Sequence, residues 1–124
     1  MSNRNIEKNK RALRRRRRVR GTISGSQERP RMTVAKSLKN IFVQVIDDEK
    51  KVTLAAAASN SGNVKSELKE GMTKTEIAFK VGEIAAQQAK EQGIETIVFD
   101  RNRFRYHGRI KAVAEGARKS GLKF

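Results

Sequence analysis

The sequence predicts an α/β (α+β) fold: a single βββαβα domain with a mixed four-stranded sheet and two helices, preceded by a basic N-terminal arm. Three observations predict it. A run of arginines precedes a linker rich in Gly and Ser. Short β-patterned segments follow in quick succession. Two stretches with helical spacing then alternate with one further strand. Accordingly, residues 1–28 are read as arm and linker, and residues 29–124 as the globular domain.

The chain has 124 residues, a size for one domain. It holds 29 Lys+Arg against 13 Asp+Glu, a net charge of +16, with an isoelectric point near 11.0. Residues 1–31 contain 12 Lys+Arg and 2 Glu. Arg14, Arg15, Arg16, Arg17 and Arg18 are adjacent, flanked by Lys8, Lys10, Arg11 and Arg20. The sizeable apolar side chains before Gly21 are Met1, Ile6, Leu13 and Val19. That is too little apolar surface to offset the entropy of ordering, so the arm is expected to order on contact with a polyanion. Adjacent guanidinium groups repel one another, and phosphates relieve that repulsion through bidentate hydrogen bonds. Nucleic acid is the first candidate partner and an acidic membrane surface the second.

Gly21–Pro30 reads as the linker. The first strand is Met32–Ser37, and the second is Ile41–Asp47. The second is nearly continuous in apolar residues around Gln44, as in a central strand covered on both faces. Lys51–Ala58 is the third. Leu38-Lys39-Asn40 and Asp48-Glu49-Lys50 are short enough to close hairpins, so these three strands form an antiparallel meander. Ser59–Met72 is a polar loop with a helical turn expected around Val64–Lys69. Thr73-Lys74-Thr75-Glu76 fits a capping box. Behind it Ile77, Val81, Ile84, Ala85 and Ala89 share one helical face, which Gln88 weakens. Gly93 suits the C-terminal stop.

Thr96–Asp100 is the fourth strand, expected parallel to the first in spatial order 3-2-1-4. The second helix spans about Gly108–Ser120, with Ile110, Val113, Ala114 and Ala117 inward. Gly121-Leu122 ends it in the manner of a Schellman motif.

Asp100–Arg109 joins the fourth strand to the second helix. Four of its ten residues are Arg, and it holds two of the six aromatic residues in the chain. In an extended segment Arg101, Arg103 and Arg105 point one way, and Phe104 and Tyr106 the other. Cations beside aromatic planes suit unpaired RNA. The following helix N-terminus adds N–H donors for phosphate. Phe104 or Tyr106 packs under the loop about as readily as it meets a base. His107 is expected to hydrogen-bond locally, and Asp100 to accept loop N–H groups or pair with an arginine.

Several motifs together resemble a known family. They are Arg29-Pro-Arg-Met-Thr-Val, Asn40-Ile-Phe-Val-Gln-Val-Ile-Asp-Asp48, Thr53-Leu-Ala-Ala-Ala57, Val98-Phe-Asp-Arg101, Tyr106-His-Gly-Arg109 with Lys111-Ala, and Gly121-Leu-Lys-Phe124. The chain resembles the bacterial 5S-rRNA-binding family of the large ribosomal subunit, protein L-eighteen, over nearly its whole length. The resemblance implies a non-catalytic structural protein of the cytoplasmic ribosome, in the central protuberance. Its partners would be 5S rRNA, 23S rRNA and neighbouring large-subunit proteins, with no cofactor, membrane or small-molecule substrate. Carried onto matching positions, RNA contacts would come from Arg11, Arg14–Arg18 and Arg20 in the arm. Arg29, Arg31, Lys36 and Lys39 would flank the first strand. Arg101, Arg103, Arg105, Tyr106, His107 and Arg109 would present the loop.

Two positions depart from the family pattern. Asn102-Arg103 stands where Gly-Gly is frequent, which removes backbone freedom and adds a cation. Ala35-Lys36 stands where an aromatic–Arg pair is frequent, so a stacking contact is expected to be missing there.

Other functions fit less well. A nuclease would need Asp47, Asp48 and Asp100 to converge on Mg²⁺, but the first two read more simply as turn residues. A membrane-surface protein would need an amphipathic helix with a bulky apolar face. A DNA-compacting protein is the nearer rival, because the arm alone does not distinguish the two nucleic acids.

Overall fold

The computed structural model describes residues 3–20, 26 and 28–124. The elements are α1 (Asn3–Arg20), β1 (Arg31–Lys36), β2 (Ile41–Asp47), β3 (Val52–Ala58), α2 (Gly62–Lys65), α3 (Lys74–Glu91), β4 (Val98–Asp100) and α4 (Arg109–Lys119). The linker expected over residues 21–30 lies largely outside the described residues.

The sheet order is β3-β2-β1-β4, with β1 antiparallel to β2, β2 antiparallel to β3, and β4 parallel to β1. This is the mixed sheet the sequence predicts. β3 and β4 run the same way at opposite edges, so α3 is a crossover that spans the sheet. Met32, Val34, Ile41, Val43, Val45, Ala55 and Ala57 point into one core with the inner faces of α3 and α4. The reading of β2 as covered on both faces is corrected here. Its burial alternates, with Phe42 and Gln44 exposed, because the crossover places its helix on a single face.

Helix ends follow the chemistry of their residues. Thr73 Oγ1 accepts from the Glu76 N–H at 3.2 Å, one half of the expected capping box. Past α3, Gly93 has φ +84°. Its N–H donates to Lys90 O at 2.9 Å, and the Ile94 N–H donates to Ala89 O at 3.1 Å, which completes a Schellman motif. Gly121 and Leu122 close α4 in the same way, onto Arg118 O at 3.0 Å and Ala117 O at 3.3 Å. Gln88, expected to weaken the apolar face of α3, accepts the Ala56 N–H at 3.2 Å. The Gln92 side chain donates to Leu54 O. Two amides thus satisfy backbone groups of the edge strand β3 that would otherwise invite another strand.

The fourth strand is shorter than Thr96–Asp100. Thr96 instead bridges Lys123, and the Ile97 N–H donates to Lys123 O at 3.1 Å. The chain end therefore occupies the place beside these two residues.

The packing of α3 on α4 shows what periodicity missed. A Cβ on Gly82 would lie 2.2 Å from Val113 O, and one on Gly116 would lie 2.1 Å from Phe79 O. The two helices meet backbone to backbone at these glycines, a contact that any larger residue prevents.

Candidate nucleic-acid interface

The register Thr33↔Asp100 fixes the position of the basic loop. The chain turns directly after this pair and brings Arg103 and Phe104 beside Lys36. The Lys36 ammonium lies 5.4 Å from the Phe104 ring centroid, and the Arg103 guanidinium carbon lies 5.2 Å from it. Lys36 and Arg103 thus set two cations against one ring.

The loop is turned rather than extended, which corrects the expected alternation. Asn102 has φ +60°, and the Phe104 N–H donates to Arg101 O at 3.1 Å. Asn is among the residues that tolerate this left-handed conformation, so the bend forms without Gly-Gly. Asp100 holds it by accepting the Asn102 N–H at 2.8 Å. Arg101 Nη1 donates back to Phe104 O at 2.7 Å. Arg101, Arg103, Arg105 and His107 are exposed. The His107 N–H donates to Arg105 O at 2.8 Å, while its ring reaches solvent.

Tyr106 is 41% exposed and is held from two sides. Its ring meets Phe99 edge-on at 6.0 Å, and its hydroxyl accepts from Arg118 Nη1 at 3.2 Å. Phe99 in turn stacks on Phe124 at 5.7 Å. Arg109 Nη2 donates to Ser37 O at 3.2 Å, and Lys74 Nζ donates to Leu38 O at 2.7 Å. The turn that carries Lys39 is thereby tied to the starts of α3 and α4, at the same end of the sheet as the loop. Gly108 caps α4 with φ +57° and no side-chain hydrogen bond, so no side chain competes for the first amides of that helix.

Arg31 is placed differently from the other expected contacts. It is buried, with Nη1 donating to Asp100 Oδ2 at 2.8 Å and Nε donating to Asp48 Oδ2 at 3.0 Å. Nη2 adds a bond to Asp48 Oδ1 at 3.1 Å. Burial works against its charge, but the hydrogen bonds and charges of the two aspartates outweigh burial and hold its pKa above the ordinary arginine value. These bonds hold Arg31 inside the domain, where it braces the start of the loop. Arg29 and Lys39 are exposed.

Residues 3–20 form one helix, for two physical reasons. Arg, Lys, Ala and Leu are all strong helix formers. Asn9, Ala12, Leu13 and Arg16 also recur at i, i+3, i+4 and i+7, and this stripe faces Ala35, Lys36, Asn102, Arg103 and Phe104 across a cleft. Ala12 is buried there. Arg11, Arg14, Arg15, Arg16, Arg17 and Arg18 are all exposed. Arg20 ends the helix. At 100° per residue, five adjacent arginines surround the helix axis with charge.

The three aspartates weighed for a metal are engaged elsewhere. Asp47 Oδ1 accepts the Glu49 N–H at 3.0 Å and the Lys50 N–H at 3.3 Å, while Asp48 and Asp100 bind Arg31. Among the described residues no group of three metal-type side chains converges.

The sequence model of ribosomal L18 from archaea, bacteria, mitochondria and chloroplasts matches residues 6–124. The chain belongs to the ribosomal L18 family. It is 51% identical over 119 residues to large ribosomal subunit protein uL18 of Staphylococcus aureus strain JH9, covering 96% of this chain and 97% of that one. The uL18 proteins of strains Newman and JH1 match to the same extent. This L18 chain is a structural constituent of the large ribosomal subunit, with ribosomal RNA and ribosomal proteins as partners. No helix among its described residues is long and apolar enough to cross a membrane.

Proposed function

We propose that this L18 chain binds 5S rRNA, helps attach it to 23S rRNA in the central protuberance, and has no catalytic role. The observation that carries the reading is the convergence at one corner of the domain. The arginine helix α1, Lys36 at the end of β1 and the loop cations beside Phe104 lie around a common cleft. The arm supplies sequence-independent phosphate contacts through Arg11, Arg14–Arg18 and Arg20. Arg29, Lys36 and Lys39 extend the charge along β1 and its turn. Arg101, Arg103, Arg105, Tyr106, His107 and Arg109 meet unpaired RNA, and the uncapped start of α4 receives a phosphate. Arg31 belongs to the scaffold in this reading. Residues 29–124 form the folded unit, and neighbouring large-subunit proteins cover part of its remaining surface.

A competition assay at physiological salt tests the reading. Fluorescent 5S rRNA bound to the full chain is displaced with unlabelled 5S rRNA, tRNA and equal-length duplex DNA. The expected result is displacement by 5S rRNA at concentrations at least about a hundredfold below those of the other two. Equal displacement by all three would reduce the chain to a general polyanion binder.

A further inference from the structure

Phe124 reaches the outer edge of the sheet by way of its neighbour. Lys123 bridges Thr96, and the Lys123 N–H donates to Glu95 O at 3.0 Å. There the Phe124 ring stacks on Phe99 at 5.7 Å, with 15° between the planes. The Arg118 guanidinium carbon lies 4.4 Å from the Phe124 ring centroid, and Arg118 Nη2 donates to Phe124 O at 3.2 Å. The other arm of that guanidinium, Nη1, donates to the Tyr106 hydroxyl at 3.2 Å. Phe99 meets the Tyr106 ring edge-on at 6.0 Å. Phe124 thus touches both residues that hold Tyr106. The planar fork of arginine is what lets one side chain stack on a ring and donate in two directions.

We propose that Phe124 is a positioning residue for RNA binding, acting through Arg118 and Phe99 to hold Tyr106 in the orientation that meets RNA. The proposal rests on the RNA-binding reading of the loop and adds a residue outside its contact set. Arg118 and Tyr106 are exposed, so each bond between them competes with water and is weak alone. The fold is closed without them: Gly121 and Leu122 already end α4, and Leu122 is buried. What the cluster supplies is orientation. A ring that rotates freely loses that freedom on binding, whereas a ring already held does not. The His107 N–H bond to Arg105 O brackets Tyr106 in a tight turn. Placing the ring therefore also sets where Arg105 and His107 point. Leucine at position 124 would still pack against Phe99 but would offer the guanidinium no aromatic face.

The test titrates the full chain and its variants with fluorescent 5S rRNA at physiological salt, well below their melting temperatures. Tyr106→Ala should bind at least about fivefold more weakly, the loss of one stacked base. Phe124→Leu should melt within about 5 °C of wild type, yet bind about three- to fivefold more weakly. Phe124→Tyr, which retains the ring, should bind within about twofold of wild type. The double variant Tyr106→Ala/Phe124→Leu should bind within about twofold of Tyr106→Ala, because Phe124 acts through Tyr106. Losses that multiply in the double variant would overturn the proposal, as would Phe124→Tyr binding no better than Phe124→Leu. Wild-type binding without preference for 5S rRNA over tRNA defeats the RNA-binding reading itself, whereas a 5S-selective chain indifferent to Phe124→Leu defeats the positioning alone.

Discussion

Arg31 and Asp100 meet at 2.8 Å across the parallel β1–β4 pair, with side chains 11% and 2% exposed. They are 69 residues apart in sequence, and their pairing sets where the basic loop leaves the sheet. The other Asp100 oxygen accepts the Asn102 N–H that starts the bend. The scaffold and the candidate interface thus share one carboxylate.

Arg31→Met should destabilise the domain by about 3 kcal/mol, because it leaves Asp100 buried without its counter-charge. Arg31→Lys should cost less, about 1 kcal/mol, since the charge remains but the fork reaching two carboxylates is lost. Urea denaturation followed by circular dichroism checks both. Equal stability of Arg31→Met and wild type would make the pair incidental to the fold.

The same pair fixes a pH expectation. The folded-state pKa of Arg31 is raised. Its stabilisation is therefore fully present below the unfolded arginine value and is lost only as the pH rises through the still higher folded value. Between about pH 6 and pH 10 the difference in melting temperature between wild type and Arg31→Met should stay constant. A difference that shrinks within that interval would assign the effect to another group.

Gly116→Ala should destabilise by about 2 kcal/mol, although alanine is intrinsically the better helix residue by about 1 kcal/mol. The added methyl would meet Phe79 O at 2.1 Å, and α3 and α4 would have to separate. Gly82→Ala should act in the same direction against Val113 O. Thermal melts of the two variants check the sign, and a rise in melting temperature would contradict backbone contact between the helices.

These glycines mark the limit of what periodicity reveals. The apolar faces of α3 and α4 were legible because Ile77, Val81, Ile84, Ile110 and Val113 repeat at helical spacing. Gly82 and Gly116 add no hydrophobicity to such a pattern, and an isolated glycine in each helix was the available signal. The sheet order was legible from short hairpin connections and the one helical crossover. Arg31 was not legible as a scaffold residue. A cation beside other cations reads as surface until the fold brings Asp48 and Asp100 to it. The helix of the arm was legible only in its Arg, Lys, Ala and Leu content, which a count of large apolar residues passes over.

Replacing Arg101, Arg103 and Arg105 together with Ala should weaken 5S rRNA binding more than binding to bulk duplex. The three are exposed beside two aromatic residues, in a turned loop too irregular to track a duplex backbone. A loss of about 2 kcal/mol or more toward 5S rRNA is expected, against under half that toward duplex. Filter binding at one salt concentration measures both. Equal losses would leave the loop as a cationic patch without preference for unpaired RNA.

Deleting residues 1–20 should leave the sheet and the helices α3 and α4 folded, because their core draws on residues from Met32 to Leu122. The arm nonetheless holds exposed arginines around its whole circumference. Each phosphate it neutralises releases counterions, so the plot of log K against log salt should flatten by about 3 to 5 units on deletion. Affinity should fall most steeply at low salt, where these contacts are strongest, and the two proteins should converge as salt rises. The deletion also removes Asn9, Ala12, Leu13 and Arg16, one wall of the cleft. A charge-only replacement separates the two contributions: Arg14, Arg15, Arg17 and Arg18 changed to Gln retain that wall. If this variant shows roughly the share of the flattening that four of the ten deleted cations supply, the arm acts through counterion release. If its slope matches wild type, the arm arginines do not meet phosphate.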